Sequence, residues 1–386
     1  MLHTSDWHLG RSFHGAGLLK DQEAFIDELV DVVGRRSVDV VLIAGDVYDR
    51  ALPGVDVVSL FDDALVRLRR AGAQVVVSSG NHDSAIRLGF GRRLFEEAGL
   101  HLRTNAADLA RPALFDGGDH LLAVYALPYL EPRMVAEELD VEEPGHAPVI
   151  SAALDRVRLD LAARRAGSPV PVRSVVLAHV FAAGGAASES ERELSVGGLD
   201  VVPVSHFEDF DYVALGHLHG RQRLAENVRY SGSPLAYSFS EAGHTKGALL
   251  VDVGPEGLRD VEAVEWAAPR RLAVLRGELE ALLSNPEYEW ARTAWCQISL
   301  TDTERPAQAM ERLRARFPDT LVLSFDPQGR KDDAATTYGE RIAAADTAQE
   351  VCEGFVEHVR QRAANDAESG LLNDVLADAA STLVSA

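Results

Sequence analysis

An α/β fold of layered strands and helices is the architecture the sequence predicts, and three observations predict it. Four Val- and Leu-rich runs without polar alternation read as strands covered on both faces. Apolar residues at helical spacing separate the first of these runs. Each run ends in an unusual polar residue, at the strand end where ligands gather in open α/β sheets.

Val38–Ala44 runs into Gly45-Asp46, and Val75–Val77 leads through two serines into Gly80-Asn81-His82-Asp83. Val175–Ala178 ends at His179, and Tyr212–Leu215 ends at Gly216-His217. Phe25, Ile26, Leu29, Val30 and Val33 form one helical stripe; Val57, Leu60, Phe61, Ala64, Leu65 and Leu68 form another. The pattern changes near Ala268-Pro269, which reads as a junction. Beyond it, strands over Leu272–Arg276, Trp295–Leu300 and Leu321–Phe325 alternate with helices over Glu278–Leu283 and Ala307–Phe317, a small α/β domain. The acidic tail is helical, with Val351, Phe355 and Val359 on one stripe and Leu371, Leu372, Val375 and Leu376 on a second piece. The expected domains are therefore residues 1–268, a capping domain at 269–335 and a C-terminal helical segment at 336–386.

Composition narrows the function classes. The 386 residues hold 46% hydrophobic side chains, enough for a sizeable core, and no apolar run approaches bilayer length. The N-terminus has neither a basic nor an apolar leader region, which predicts a cytoplasmic protein without a secretory signal. Cys296 and Cys352 match no metal or redox spacing and read as ordinary reduced thiols. Net charge is −22, from 38 Lys and Arg against 60 Asp and Glu. Phosphate backbones attract clustered cations, so this balance argues against autonomous DNA binding. It leaves room for a nuclease subunit whose partner supplies the grip, because bound divalent ions reverse the local sign.

Taken singly, the polar motifs are weak. A Gly-Asp after a strand is usually a turn, and a lone His is more often a core or surface residue. Their order carries the information: Asp6-Trp7-His8, Gly45-Asp46, Gly80-Asn81-His82-Asp83, His179 and Gly216-His217-Leu218-His219. These segments offer carboxylate, amide oxygen and imidazole in numbers that suit two divalent ions. On an extended Gly-His-x-His segment, His217 and His219 would share one face. Phosphodiester hydrolysis needs a nucleophile at neutral pH and neutralised phosphate charge, and two ions sharing a carboxylate supply both. A histidine outside the ligand set then stabilises the pentacovalent state or protonates the leaving oxygen, and His82 is placed for that role. Asp83 either orients His82 or caps a turn.

At these residues the chain resembles the calcineurin-like metallophosphoesterase superfamily. More narrowly it resembles the nuclease subunits of bacterial SbcCD complexes. The narrower likeness rests on His3–Gly10, Gly45–Asp49, Gly80–Asp83, Leu194–Gly198, Gly216–His219 and Tyr230–Pro234. It covers most of residues 2–240, and the remaining third matches in layout more than in motif.

The resemblance implies two mixed β-sheets packed face to face and flanked by helices, followed by the capping domain and the helical tail. It implies Asp6, His8, Asp46 and His219 as ligands of one ion, and Asp46, Asn81, His179 and His217 as ligands of the other. Asp46 would bridge, His82 would be catalytic, Asp49 and Asp83 would support it, and the ions would be Mn2+. It further implies an ATP-dependent exonuclease on double-stranded ends and an endonuclease on single strands and hairpins. The expected partners are DNA and an SbcC-type coiled-coil ATPase docked on the tail, with a homodimer inside a heterotetramer. Arg11 and His14 are candidate DNA contacts, as are Arg92, Arg93, Arg221 and Arg223. The rival enzymatic reading is a calcineurin-like phosphodiesterase or phosphatase for a small molecule. The non-enzymatic reading is a subunit that keeps the fold to organise a complex; against it, no ligand position is missing.

Overall fold

The computed structural model describes residues 1–189, 201–327, 345, 347–360 and 362–384. The Leu194–Gly198 motif and the expected boundary at residues 335 and 336 lie outside the described residues. The chain forms two compact units, Met1–Val274 and Leu275–Ala386.

In the first unit, β1 (Leu2–Thr4), α1 (Leu19–Arg35), β2 (Val40–Ala44), α2 (Val55–Arg70) and β3 (Gln74–Ser78) alternate. The short helices α3 (Ala85–Leu88) and α4 (Arg92–Glu97) lead to β4 (Leu100–Arg103). The second half holds β5 (Ala113–Asp116), β6 (Leu121–Ala126), α5 (Pro132–Val135), α6 (His146–Gly167), β7 (Val172–His179) and β8 (Tyr212–Gly216). It closes with β9 (Gln222–Arg223), β10 (Val228–Tyr230) and the long hairpin β11 (Gly247–Gly254) and β12 (Gly257–Glu265).

Two six-stranded sheets result, ordered β12-β11-β1-β2-β3-β4 and β9-β10-β8-β7-β6-β5. Both are mixed. In the first, β1 to β4 are mutually parallel and β11 runs antiparallel to β1. In the second, β6, β7, β8 and β10 are parallel while β5 and β9 are antiparallel edges. The sheets face each other across Val40, Leu42, Val76, Val124, Val175, Leu177, Tyr212, Ala214 and Leu249, all buried. α6 packs Val149, Ile150, Leu154, Val157 and Leu161 on the outer face of the second sheet. Phe25, Ile26, Leu29 and Val33 of α1, with Phe61 and Leu65 of α2, bury the helical layer beside the first sheet. Burying each such side chain fully contributes roughly 1.5–3 kcal/mol. The unalternated runs are explained by this sandwich: strands between helices and a second sheet have no wet face.

Register then places the site. Thr4 pairs with Ile43 and Ala44 with Ser78, so β1, β2 and β3 release their chains at one edge. His179 pairs with Gly216 at the corresponding edge of the second sheet.

β13 (Leu272–Gly277) runs across the boundary into the second unit, which continues with α7 (Leu279–Ser284), β14 (Trp295–Leu300), α8 (Ala309–Arg316) and β15 (Thr320–Phe325). They form a three-stranded sheet ordered β13-β14-β15 with α7 and α8 packed together. α9 (Ala348–Arg360) and α10 (Asp366–Val384) follow and pack against each other. No helix among the described residues is long and apolar enough to cross a membrane.

Candidate metal centre

Asp6, His8, Asp46 and His217 share a feature that ordinary loop residues avoid: positive φ, at 54°, 43°, 46° and 103°. Such conformations cost about 1–3 kcal/mol each and persist only where surrounding structure holds them. Here the loops hold one another. The Asp6 N–H donates to Gly45 O at 3.2 Å, and the His8 N–H donates to Asp46 O at 2.9 Å. Glycine is needed where the loops touch. A Cβ on Gly45 would sit 2.2 Å from His179 Nδ1, and one on Gly80 would sit 2.1 Å from Asp46 Oδ1.

Three histidines turn their Nδ1 atoms outward to acceptors. His179 Nδ1 donates to Ala44 O at 3.1 Å. His219 Nδ1 faces Glu241 Oε1 at 3.4 Å, and His8 Nδ1 has Asp49 Oδ1 at 3.5 Å, just beyond a hydrogen bond. Carbonyl and carboxylate oxygens only accept, so the proton sits on Nδ1, the Nε2 atoms of His8 and His219 present lone pairs inward, and His179 does so once its second proton is displaced. Those Nε2 atoms converge. His8 and His219 face each other at 3.2 Å, while His179 Nε2 lies 2.9 Å from Asn81 Oδ1. Asp46 Oδ2 lies between, 3.5 Å from His8 Nε2 and 3.3 Å from His179 Nε2. Two lone pairs facing across this distance repel unless a cation lies between them. The donor set therefore fits divalent ions, with Asp6–His8–His219, Asp6–Asp46–His179 and His8–Asp49–His82 as three groups of converging ligand atoms among the described residues.

Electrostatics agree. Burial pushes the Asp6 carboxyl up to about 8, against the opposing charge of His179. Burial holds His8 down to about 4 and His217 to about 3, and lowers His219, so all three are neutral ligand-type imidazoles. His179 differs. Burial resists its protonation, yet the Asp46 and Asp6 carboxylates push it up to about 9. The same pairing holds Asp46 well below the usual carboxylate range despite its burial.

His217 joins the site differently from the extended-segment expectation. β8 ends at Gly216 and the backbone turns at once, so His217 and His219 do not share a strand face. The His217 N–H donates to Asp6 Oδ1 at 2.9 Å and Oδ2 at 3.1 Å. Its ring stands edge-on to His179 at 5.2 Å, and it belongs to none of the ligand groups found among the described residues.

His82 is half-buried beside the cluster, its ring 4.8 Å from that of His8. Its backbone N–H donates to Asp46 Oδ1 at 2.9 Å, and its Nδ1 donates to Asp49 O at 2.9 Å. Asp83 takes the turn-capping alternative: it accepts backbone N–H groups from Gly80, Val47 and Tyr48 at 2.9–3.1 Å. Burial, reinforced by the Asp46 charge, pushes its carboxyl up to about 7. Asp49 reaches His8 and Arg11, the latter at 3.7 Å. Arg11 also lies 5.2 Å over the Tyr237 ring, and His14 packs on Phe13 and Phe239. Arg92, Arg221 and Arg223 are engaged by Asp108, Glu265 and Glu226.

Gln22, Tyr237, Glu241 and Lys246 were not singled out from the sequence. Gln22 donates to His8 O at 2.8 Å and accepts from the Gly10 N–H at 2.9 Å, fixing the first loop. Its signal was a polar residue on the buried stripe of α1. The Tyr237 ring packs on both His8 and His219.

The sequence model of the calcineurin-like phosphoesterase family matches residues 1–221. The chain belongs to that family. A second model, the SbcD C-terminal domain, described as the type 5 capsule protein repressor C-terminal domain, matches residues 268–360. A metallophosphoesterase domain followed by this domain supports an SbcD-type nuclease subunit, and makes the chain a metal-dependent phosphoester hydrolase by family. Three solved structures overlap with the chain at TM-scores below 0.5. The crystal structure of TT1561 of Thermus thermophilus is similar at 13% identity over 68% of this chain and 97% of its own, with a TM-score of 0.38. A β-glucosidase from Exiguobacterium marinum overlaps at 8% identity, 84% and 88% coverage and a TM-score of 0.21. A family 1 β-glucosidase from Thermotoga maritima overlaps at 12% identity, 84% and 82% coverage and a TM-score of 0.20.

Proposed function

We propose that this chain is the nuclease subunit of an SbcCD-type DNA repair complex, cleaving DNA phosphodiesters with two Mn2+ ions. The observation that carries the reading is the convergence of His8 and His179 Nε2 on Asp46 Oδ2, with His219 Nε2 facing His8 Nε2. Asp6, His8, Asp46 and His219 would hold one ion; Asp46, Asn81, His179 and His217 would hold the other. Bound there, the ions would supply Lewis acidity for the phosphate and activate water.

The protein's own groups do the rest. Asp46 ties the two ligand sets together and, through the His82 N–H, fixes the loop that carries His82. His82 Nε2 delivers a proton to the leaving oxygen while Nδ1 stays anchored on Asp49 O. Asp83 supports the chemistry by capping the turns on both sides of the site. Arg11, on the rim, and His14 contact the DNA backbone.

Exposed apolar residues support the partner reading. Phe355, Val359, Leu371 and Val375 are exposed apolar residues on α9 and α10, and they dock on the coiled coil of an SbcC-type ATPase. Ile86, Phe90 and Leu94 of α3, α4 and their link are also exposed, as are Leu52 and Val55, with Arg87 reaching Ala51 O at 3.2 Å. A second copy of the chain covers this patch, giving a homodimer within a heterotetramer. The ATPase supplies the basic surface that a chain of net charge −22 lacks, and ATP-dependent exonuclease and hairpin endonuclease activity belong to that cytoplasmic complex.

The test is manganese-dependent cleavage of a linear duplex and a DNA hairpin, with and without the partner ATPase. A cyclic nucleotide and a phosphopeptide serve as competing substrates. Cleavage of DNA in preference to both is expected; preference for either small substrate rejects the nuclease reading.

A further inference from the structure

Behind His219 lies a buried ion pair that takes no direct part in the ligand set. Glu241 and Lys246 are both buried, at 1% and 6% exposure. Glu241 sits in a short 3-10 turn, Phe239–Glu241, and Lys246 immediately precedes β11. The Lys246 ammonium donates to Glu241 Oε2 at 2.6 Å, to Ser233 Oγ at 2.9 Å and to the carbonyl of His219 at 2.9 Å. All three ammonium donors are therefore used, which is what a buried lysine requires. The other carboxylate oxygen, Glu241 Oε1, accepts the Tyr237 N–H at 3.2 Å and faces His219 Nδ1 at 3.4 Å.

One ion pair thus grips a single histidine twice, at its ring through Glu241 and at its backbone through Lys246. A lone carboxylate behind His219 would be costly to bury, and the Lys246 ammonium offsets that cost. Partners of this kind fix the tautomer and orientation of a metal-ligating histidine.

We propose that Glu241 is the positioning residue of His219, anchored by Lys246, and holds the imidazole with its proton on Nδ1 and its lone pair on Nε2 toward the ion shared with Asp6 and His8. The proposal rests on the two-ion reading of the site.

Calorimetric titration of metal-stripped, full-length protein with manganese(II) chloride tests it. Two double variants isolate the acceptor without stranding a buried charge. Glu241→Gln with Lys246→Met keeps an oxygen for His219 Nδ1, and two ions should bind as in the wild type. Glu241→Leu with Lys246→Met removes it, and one of the two ions should bind about 10–100-fold more weakly while the other is unchanged. Equal affinities in the two variants would overturn the proposal. A wild-type protein that takes up no manganese would instead reject the metal-site reading. If the Leu variant does not fold, a crystal structure of the manganese-loaded wild type decides. His219 bound through Nε2 with Nδ1 on Glu241 is expected, and binding through Nδ1 would overturn it.

Discussion

Asp46 Oδ1 accepts the backbone N–H of His82 at 2.9 Å, so the carboxylate at the centre of the ligand cluster also positions the candidate acid. The two residues are coupled, yet their side chains have separable tasks. His82→Ala should bind two manganese ions and lose about 10²–10⁴-fold in DNA cleavage. Asp46→Ala should lose both binding and cleavage. Titration with manganese alongside single-turnover cleavage reads the two effects independently. Unchanged cleavage in both variants would leave the two-ion proposal without support.

Manganese uptake should depend on pH in a defined direction. In the metal-free protein burial pushes the Asp6 carboxyl up to about 8, and the Asp46 carboxylate outweighs burial to push His179 up to about 9. Near pH 7 both carry protons that an ion must displace. Affinity should therefore rise with pH through this range and level off above about 9. Calorimetry in buffers of different ionisation enthalpy should show proton release at pH 7 that shrinks toward pH 9. Proton uptake on binding would contradict the protonated state of both groups.

Gly80→Ala should damage the centre without touching a ligand. Its Cβ would lie 2.1 Å from Asp46 Oδ1 and 2.3 Å from the Asp46 backbone nitrogen. The carboxylate or the whole Gly80–Asp83 turn must move, at a cost of about 1–3 kcal/mol in a packed site. Denaturant unfolding should report that loss, and manganese affinity should fall with it. A variant with native affinity would mean that the Asp46 loop gives way freely.

Removing one charge of the Glu241–Lys246 pair should be worse than removing both. Lys246→Met leaves a buried carboxylate uncompensated and should cost about 3–5 kcal/mol at pH 7. Glu241 is held below its ordinary range: burial opposes ionisation, but the Lys246 charge outweighs it. A depressed carboxyl contributes stability above its unfolded value of 4.5 and loses it as the pH falls through the folded value. The destabilisation measured for Lys246→Met should consequently shrink in acid, as Glu241 becomes neutral. A penalty independent of pH would point to lost packing instead of lost charge.

Deleting residues 347–386 should abolish co-purification with a coiled-coil ATPase while leaving manganese binding intact. The exposed Phe355, Val359, Leu371 and Val375 all lie in that stretch, and every residue of the candidate centre lies before residue 220. Full recovery of the partner would show that α9 and α10 pack for another reason.

Much of the sandwich was legible because buried strands and amphipathic helices leave strong local patterns. Val40–Ala44 and Tyr212–Gly216 announce themselves by apolar runs, and Phe25 with Leu29 by spacing. Sheet order was not legible from these patterns, because nothing local says that β11, near residue 250, pairs with β1. The ligand types could be read in order along the chain, but their handling could not. His217 needed the positive φ after β8, and Asp83 needed three backbone N–H groups from two turns. Glu241 and Lys246 escaped notice because a buried ion pair is invisible until the fold brings its parts behind His219.

The division of the centre between two sheets has a consequence for synthesis. Asp6, His8, Asp46 and Asn81 leave the ribosome early, in loops that follow three strands paired side by side. Neither of the two groups containing Asp6 is complete without His179 or His219. A growing chain that stalls before residue 179 therefore lacks a member of each of these two groups. On the nuclease reading proposed above, cleavage of DNA would wait until both sheets of the first unit have been made.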